Sequence, residues 1–288
     1  MSSLQQIRCR QIEDTDAENV VDFLTNGFRN RSRAFWQNAL DRLAAHTTPP
    51  GMPKYGYLLE ARGSIVGVLL LIFTSYSTRG EDRVKCSVSS WYVDPDFRSF
   101  APMLVSKALK HKHVTYINIT PAAHTLPILE AQGFHRYCAG RLVALAAIAA
   151  PRLGTRVQAV TPETQAGEDL HASEIELLRA HADYGCMSLI CSSKEGRRPF
   201  IFSPRRRRGF IRCAHLVYCR QLDDFVHAAG PLGRYLAWRG FPLVVLDTNG
   251  PVPGLLGKRN DNEPKYYRGP HRPNLGDLTF TERAMFGL

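Results

Sequence analysis

Residues 91–98 read Trp-Tyr-Val-Asp-Pro-Asp-Phe-Arg and place an arginine just past an abrupt strand end. Residues 84–93, rich in Val, Ser, Trp and Tyr, predict a strand, and Asp94-Pro95-Asp96 stops it. Residues 101–111 then predict a helix with Ala101, Leu104, Val105 and Ala108 on one side. A helix start carries unpaired N–H groups and the positive end of a dipole. A diphosphate set there is held by backbone donors, and Arg98 adds a charge-assisted contact. Pro102 suits the first helical turn but removes one N–H from that cradle.

Other residue groupings carry less chemistry. Cys213, His215 and Cys219 share one face of a predicted strand. A metal would need a turn to converge them, so they read as core. Arg205 to Arg208 read as a solvated hairpin tip, with a grip on a polyanion such as RNA as the sharper alternative. Lys110-His111-Lys112-His113 is an exposed helix end, where cations are favourable. The sequence has no Walker A loop, no Gly-x-Gly-x-x-Gly, no Gly-x-Ser-x-Gly and no His-Glu-x-x-His. Nucleotide hydrolysis, dinucleotide redox chemistry, serine-hydrolase and zinc-protease mechanisms lose their usual support.

The elements that must position the arginine follow from patterning. Residues 7–12 alternate as a short strand, and 15–28 predict a helix with Thr15 and Glu18 as a capping box. Ser32 caps a second helix with Trp36, Leu40 and Leu43 inward. Residues 55–61 and 64–74 form a hairpin about Arg62-Gly63. Residues 114–119 predict a buried strand, 121–132 a helix closed by Gly133, and 134–148 a strand-like run. Residues 151–169 lack periodicity and read as a linker. Beyond it come a helix at 172–182, strands at 187–192, 199–202 and 210–219, a helix at 222–238 interrupted at Gly230-Pro231, and a strand at 241–246. From Thr248 onward a long loop is expected, with a last strand near 278–283. The two halves share a rhythm, and Cys86 to Ile117 spans the same length as Cys213 to Val244.

The order of these elements, with Val93-x-Pro95-x-x-Arg98 and Glu130-x-x-Gly133-Phe134, resembles the GNAT superfamily of acyl-CoA-dependent N-acyltransferases over about residues 5–150. The resemblance implies an α/β (α+β) mixed-sheet fold, duplicated, with residues 1–150 as the domain holding the acyl-CoA site and 151–288 as a degenerate second copy. It implies that two parallel strands splay apart and that the pantetheine arm lies between them. Trp91, Tyr92 and Val93 would bind that arm; Arg98, Ser99, Phe100, Ala101 and Met103 would hold the diphosphate. The family's Arg-x-x-Gly-x-Gly/Ala loop departs here to Arg98-Ser99-Phe100-Ala101-Pro102-Met103. Losing one hydrogen bond costs about 0.5–1.5 kcal/mol, or about 1.5–3 to a charged group. The family's tyrosine acid is replaced by Leu129, leaving His124, Tyr116 and Tyr137 as substitutes and Glu60 as a general-base candidate. Ser89, Ser90 and Cys86 could touch substrate, depending on their face.

The implied reaction moves an acyl group from acetyl-CoA or a related thioester to a small-molecule or peptide amine or hydroxyl, without a metal. The second domain would shape the acceptor pocket or a homodimer contact. Two alternatives stand beside it: an aminoacyl-tRNA-dependent transferase, and an inactive binding or regulatory module. The 288 residues carry a net charge of +11, which draws polyanions without choosing among them. Seven cysteines without a CxxC pair and the absence of a signal peptide or long apolar run imply a cytoplasmic protein with no membrane span.

Overall fold

The computed structural model describes residues 7–78, 80–207 and 211–287. They build two compact units: Met1–His135 with Tyr266–Arg272, and Arg136–Lys265 with Pro273–Leu288. The division expected after residue 150 falls inside the second unit, because the chain leaves the first unit earlier.

The first unit opens with β1 (Ile7–Gln11), which pairs antiparallel with β2 (Gly56–Ala61). Between them lie α1 (Ala17–Gly27) and α2 (Arg33–Ala45). The expected Thr15–Glu18 box does not open α1: a 3-10 turn at Asp14–Asp16 precedes it, and Asp16 accepts the Glu13 N–H at 2.9 Å. Arg10 grips both oxygens of that carboxylate, at 2.6 and 2.8 Å. Ser32 does cap α2, accepting the Phe35 N–H at 3.2 Å, and Trp36, Leu40 and Leu43 are buried as expected.

β3 (Ser64–Thr78) and β4 (Glu81–Val93) form a long antiparallel pair. A 3-10 segment, Pro95–Phe100, leads into α3 (Ala101–Ala108), then β5 (Val114–Asn118) and α4 (Leu126–Ala131). Gly133, at φ +80°, closes α4 in the left-handed conformation a glycine adopts without strain. The run at 134–148 is two strands, β6 (His135–Cys138) and β7 (Gly140–Ala144).

The second unit holds β8 (Arg156–Ala159), α5 (Ala172–Asp183), β9 (Met187–Ser193), β10 (Gly196–Arg207) and β11 (Ile211–Tyr218). The stretch read as a linker thus supplies an edge strand. α6 (Leu222–Trp238) carries Pro231 without a break, and β12 (Leu243–Thr248) follows. Two strands replace much of the long loop expected after Thr248: β13 (Gly257–Asn260) and β14 (Lys265–Arg268). The last strand expected near 278–283 is instead a bridged residue, Asp277, and a short helix, α7 (Glu282–Met285). Residues 208–210, the tip of the arginine hairpin, lie outside the described residues.

The sheets run β1-β2-β3-β4-β5-β14-β6 and β13-β7-β12-β11-β10-β9-β8. Read from β1 and from β8, both are the same design. Four antiparallel strands lead to a parallel neighbour, and the sixth place goes to a strand from the opposite half of the sequence. β14 fills that place in the first sheet, antiparallel to β5, and β7 fills it in the second, antiparallel to β12. The repeated spacing has its cause here: Cys86 pairs with Tyr116 and Cys213 with Leu243, so both crossovers return after equal lengths. The central strands are buried on both faces. Leu69, Leu71 and Phe73 of β3 share a core with Leu104, Ala108 and Leu129, while Val68, Leu70 and Ile72 are buried as well. Phe200 and Phe202 of β10 share a core with Phe225, Leu232 and Leu236, while Ile201 is buried too.

Candidate active site

β4 and β5 pair from Val84–Val114 to Ser87–Ile117, and no further. A bulge in β4 accompanies the parting. Across it, Leu70 faces Ser89 and Val68 faces Tyr92, so β4 spends one residue more than β3. Side-chain parity records the same event. Cys86 and Val88 pack on one core, and so do Trp91 and Val93, although their numbering has changed from even to odd. Ser90 sits at the switch with φ +50°, a strained value for a residue with a Cβ. Its hydroxyl lies 3.0 Å from that of Ser89. A bulge bends its strand, and here it leaves residues 88–93 of β4 without a partner on the β5 side among the described residues. The result is a wedge with a free backbone edge.

Of the residues expected to hold an arm in such a wedge, Val93 is core, while Trp91 and Tyr92 are half-buried. Trp91 Nε1 is buried with no hydrogen-bond partner. Tyr92 packs against Phe23 and Phe28, with ring centroids at 5.3 and 5.7 Å. Cys86 faces the core and Ser89 is buried, leaving Ser90 the more accessible of the three residues considered for substrate contact.

The mouth of the wedge is tighter than a free helix start. Phe97 donates its N–H to Asp94 O at 2.9 Å, and Ala101 donates to Arg98 O. Pro102 has no N–H to give. Phe100 is half-buried against the core, whereas Arg98, Ser99 and Met103 are exposed, and Arg98 forms no ion pair among the described residues. Burial, and then the neighbouring Asp96 charge, push the Asp94 carboxyl upward.

The proton-transfer candidates are not brought together. Tyr116 is core: its hydroxyl accepts the His111 N–H at 3.3 Å, and desolvation raises it above the usual phenol range. Tyr137 belongs to the second unit, fully buried and likewise raised by desolvation. Glu60 is tied to Arg10 at 3.0 Å on the β1–β2 pair. His124 is exposed on a 3-10 turn, and Leu129 is core.

The second unit repeats the wedge and then fills it. β11 and β12 pair from Cys213–Leu243 to His215–Val245 only, and a register shift against β10 follows, at Val217. Beyond it residues 276–278 pair with β11. Leu278 donates to Val217 O at 2.8 Å, Cys219 to Gly276 O at 2.9 Å, and Tyr218 bridges Asp277. The start of α6 opposes an anion: Asp223 and Asp224 lie in its first turn, and Asp224 accepts the Gln221 N–H at 3.2 Å.

Sequence reasoning missed the polar group beneath this filled wedge. Lys265 Nζ donates to Asp247 Oδ1 at 2.6 Å, with both side chains buried. His215 lies 3.7 Å from the same oxygen, and burial pushes its imidazole down to about 3, so it is neutral. Burial works against the carboxylate, but the Lys265 charge outweighs it and holds Asp247 far below the usual carboxylate range. A signal existed: Asp247 ends an apolar run inside a buried strand, where a lone carboxylate demands a cation. Among the described residues, no three His, Cys, Asp or Glu side chains group to hold a metal.

Two seven-stranded mixed sheets of one topology, each with its central parallel pair parting at a bulge, define a tandem of two GNAT-like domains. Solved structures carry the same fold. A GCN5-related N-acetyltransferase from Anabaena variabilis aligns over 91% of this chain and 72% of its own at 11% identity, with a TM-score of 0.59. One from Kribbella flavida aligns over 92% and 71% at 11% identity, with a TM-score of 0.56. A Pyrococcus horikoshii protein classed with the acetyltransferases aligns over 99% and 98% at 11% identity, with a TM-score of 0.59. No protein-family model matches the sequence, and no curated protein matches it either.

Proposed function

We propose that the chain transfers an acyl group from a CoA thioester to an amine or hydroxyl acceptor, using the wedge of the first unit. The observation that carries this reading is the unpaired edge of β4 past Ser87. Extended amide-bearing chains such as pantetheine bind by adding to such an edge, main chain to main chain. Arg98, Ser99, Phe100, Ala101 and Met103 would meet the diphosphate, Arg98 with the only full positive charge among them. Donors at the Ser90 bulge would polarise the thioester carbonyl.

The acceptor nitrogen or oxygen attacks the carbonyl carbon, the C–S bond breaks, and the electron pair leaves on sulfur. A free thiol ionises near pH ~8.5, so the thiolate is a tolerable leaving group without a strong acid. That fits a site in which Leu129 and Tyr116 can supply none. The attacking group's proton passes to solvent or to the acceptor's own surroundings. Positioning supplies much of the rate. No helix among the described residues is long and apolar enough to cross a membrane.

A second reading, a binding module that has lost catalysis, draws support from the tight mouth, where Ala101 spends its N–H on Arg98 O and Pro102 has none. Calorimetric titration with acetyl-CoA followed by thiol release with a panel of amines separates the two. The transferase reading expects binding and turnover. It also expects Arg98→Ala to weaken binding by about 1.5–3 kcal/mol, at least about tenfold in Kd. Binding without release of CoA favours the module, and no binding at all removes both.

A further inference from the structure

The C-terminal segment has the features of a ligand rather than of a tail. It approaches β11 as an antiparallel strand and uses the hydrogen bonds β11 has left past the bulge. It then turns inward. Leu278, Thr281, Glu282, Arg283, Ala284, Met285 and Phe286 are all buried, and α7 has no exposed face. What it buries is specific. The Arg283 guanidinium reaches His215 Nδ1 at 3.4 Å, and Arg205 Nη2 donates to Arg283 O at 2.9 Å. Phe280 donates its N–H to His181 Nε2 at 3.2 Å and lays its ring against that imidazole, with centroids 4.7 Å apart. It does so at φ +52°, a strained value for phenylalanine.

A generic core plug would be apolar. This one delivers a buried arginine to the place where β11 and β12 part, next to the histidine and aspartate those strands present. Recognition by strand addition plus a charged side chain in a fitted pocket is how clefts select peptides. Asp247 already answers Lys265, the opposite charges facing the guanidinium are that shared aspartate and the adjoining buried Glu282, and its Nε has no hydrogen-bond partner. Imperfect pairing of that kind leaves the segment less tightly held than its burial alone would suggest.

The geometry points to a second binding site: the wedge of the second unit is a peptide-accepting cleft, and the segment from Gly276 to Phe286 is its ligand in cis. The class of ligand it takes is an extended peptide that adds a strand to β11 and carries an arginine a few residues on. Cofactor is excluded from this wedge by occupancy and by the acidic start of α6. The inference is independent of the transferase reading.

Native-state hydrogen exchange on the intact chain is the first test. The Leu278 and Cys219 amides should be protected in buffer, yet open at a denaturant concentration where β9 and β10 still hold. Exchange at the rate of an exposed loop would show the cleft to be vacant. Opening only with the whole unit would show a fixed core element. Either result overturns the inference. The second test uses Arg283→Ala and a fluorescent peptide of residues 275–287. The peptide should bind the variant at least about tenfold more tightly than the unaltered chain, whose cleft is already taken; equal binding overturns the inference. Should Arg283→Ala fail to fold, Arg283→Lys replaces it with the same expected direction, since lysine keeps the charge but not the planar fork.

Discussion

The same bulged, parting strand pair occurs twice in this chain and meets two different fates. In the first unit residues 88–93 of β4 keep an edge unpaired on the β5 side among the described residues, and no side chain within that stretch is charged. In the second unit the equivalent edge of β11 is taken by residues 276–278, over a buried group of charges. The comparison teaches that the fold supplies a cleft and the flanking residues decide what enters it. An arginine past the first bulge and two aspartates past the second give the two helix starts opposite preferences for an anion.

The sharpest way to break the comparison is to disturb the buried Lys265–Asp247 pair of the second unit. Asp247→Asn leaves Lys265 buried without its counter-charge and should cost the second unit about 3–5 kcal/mol. Adding Lys265→Met should recover much of that loss. Urea denaturation of the single and double variants reads both values, and equal stability of all three chains would show the pair to be inert.

Acid should separate the two units next. His215 is held neutral down to about 3, whereas an unfolded histidine protonates near pH ~6.5. Its contribution is therefore fully present above pH ~6.5 and lost as pH falls toward the folded value, at about 1.4 kcal/mol per pH unit. His46 in the first unit is also lowered by burial, so it leans the same way within its own window. His215→Gln should flatten the second unit's decline between pH 6 and ~4. An unchanged slope, followed by urea midpoints across that range, would assign the acid sensitivity elsewhere.

Smaller effects sharpen the first wedge. A Cβ at Gly27 would come within 2.5 Å of the Tyr92 ring, just past the bulge. Gly27→Ala should cost about 1–3 kcal/mol by overpacking and shift the wedge wall, leaving the second unit's exchange unaltered. A thermal melt with exchange mapping decides it. Ser90→Gly should relieve the positive φ and stabilise the first unit by up to about 1 kcal/mol, or less for the lost contact with Ser89 Oγ. Destabilisation instead would mean that the serine hydroxyl pair outweighs the strain.

Much of the first unit was legible because its signals are local. Ser32 announced a cap, Gly133 a left-handed stop, and Asp94-Pro95-Asp96 the end of β4. The equal spacing of the two crossovers was legible too, since it reflects the return from Cys86 to Tyr116 and from Cys213 to Leu243. The exchanged strands were not. β7 and β14 take their places by pairing with residues distant in sequence, and such pairing leaves no mark on local periodicity. The candidate site shows the same divide. Arg98 past a strand end is a local pattern, whereas the engagement of Tyr116, Tyr137 and Glu60 elsewhere depends on tertiary neighbours. The filled second wedge was hidden for that reason: nothing in residues 276–286 says which strand edge they seek.

Hydrogen exchange with and without acetyl-CoA tests the central claim most directly. Acetyl-CoA should slow exchange in residues 88–93 and at the start of α3, with residues 213–219 unchanged. Slowing confined to the second unit, or none anywhere at saturating acetyl-CoA, would contradict it.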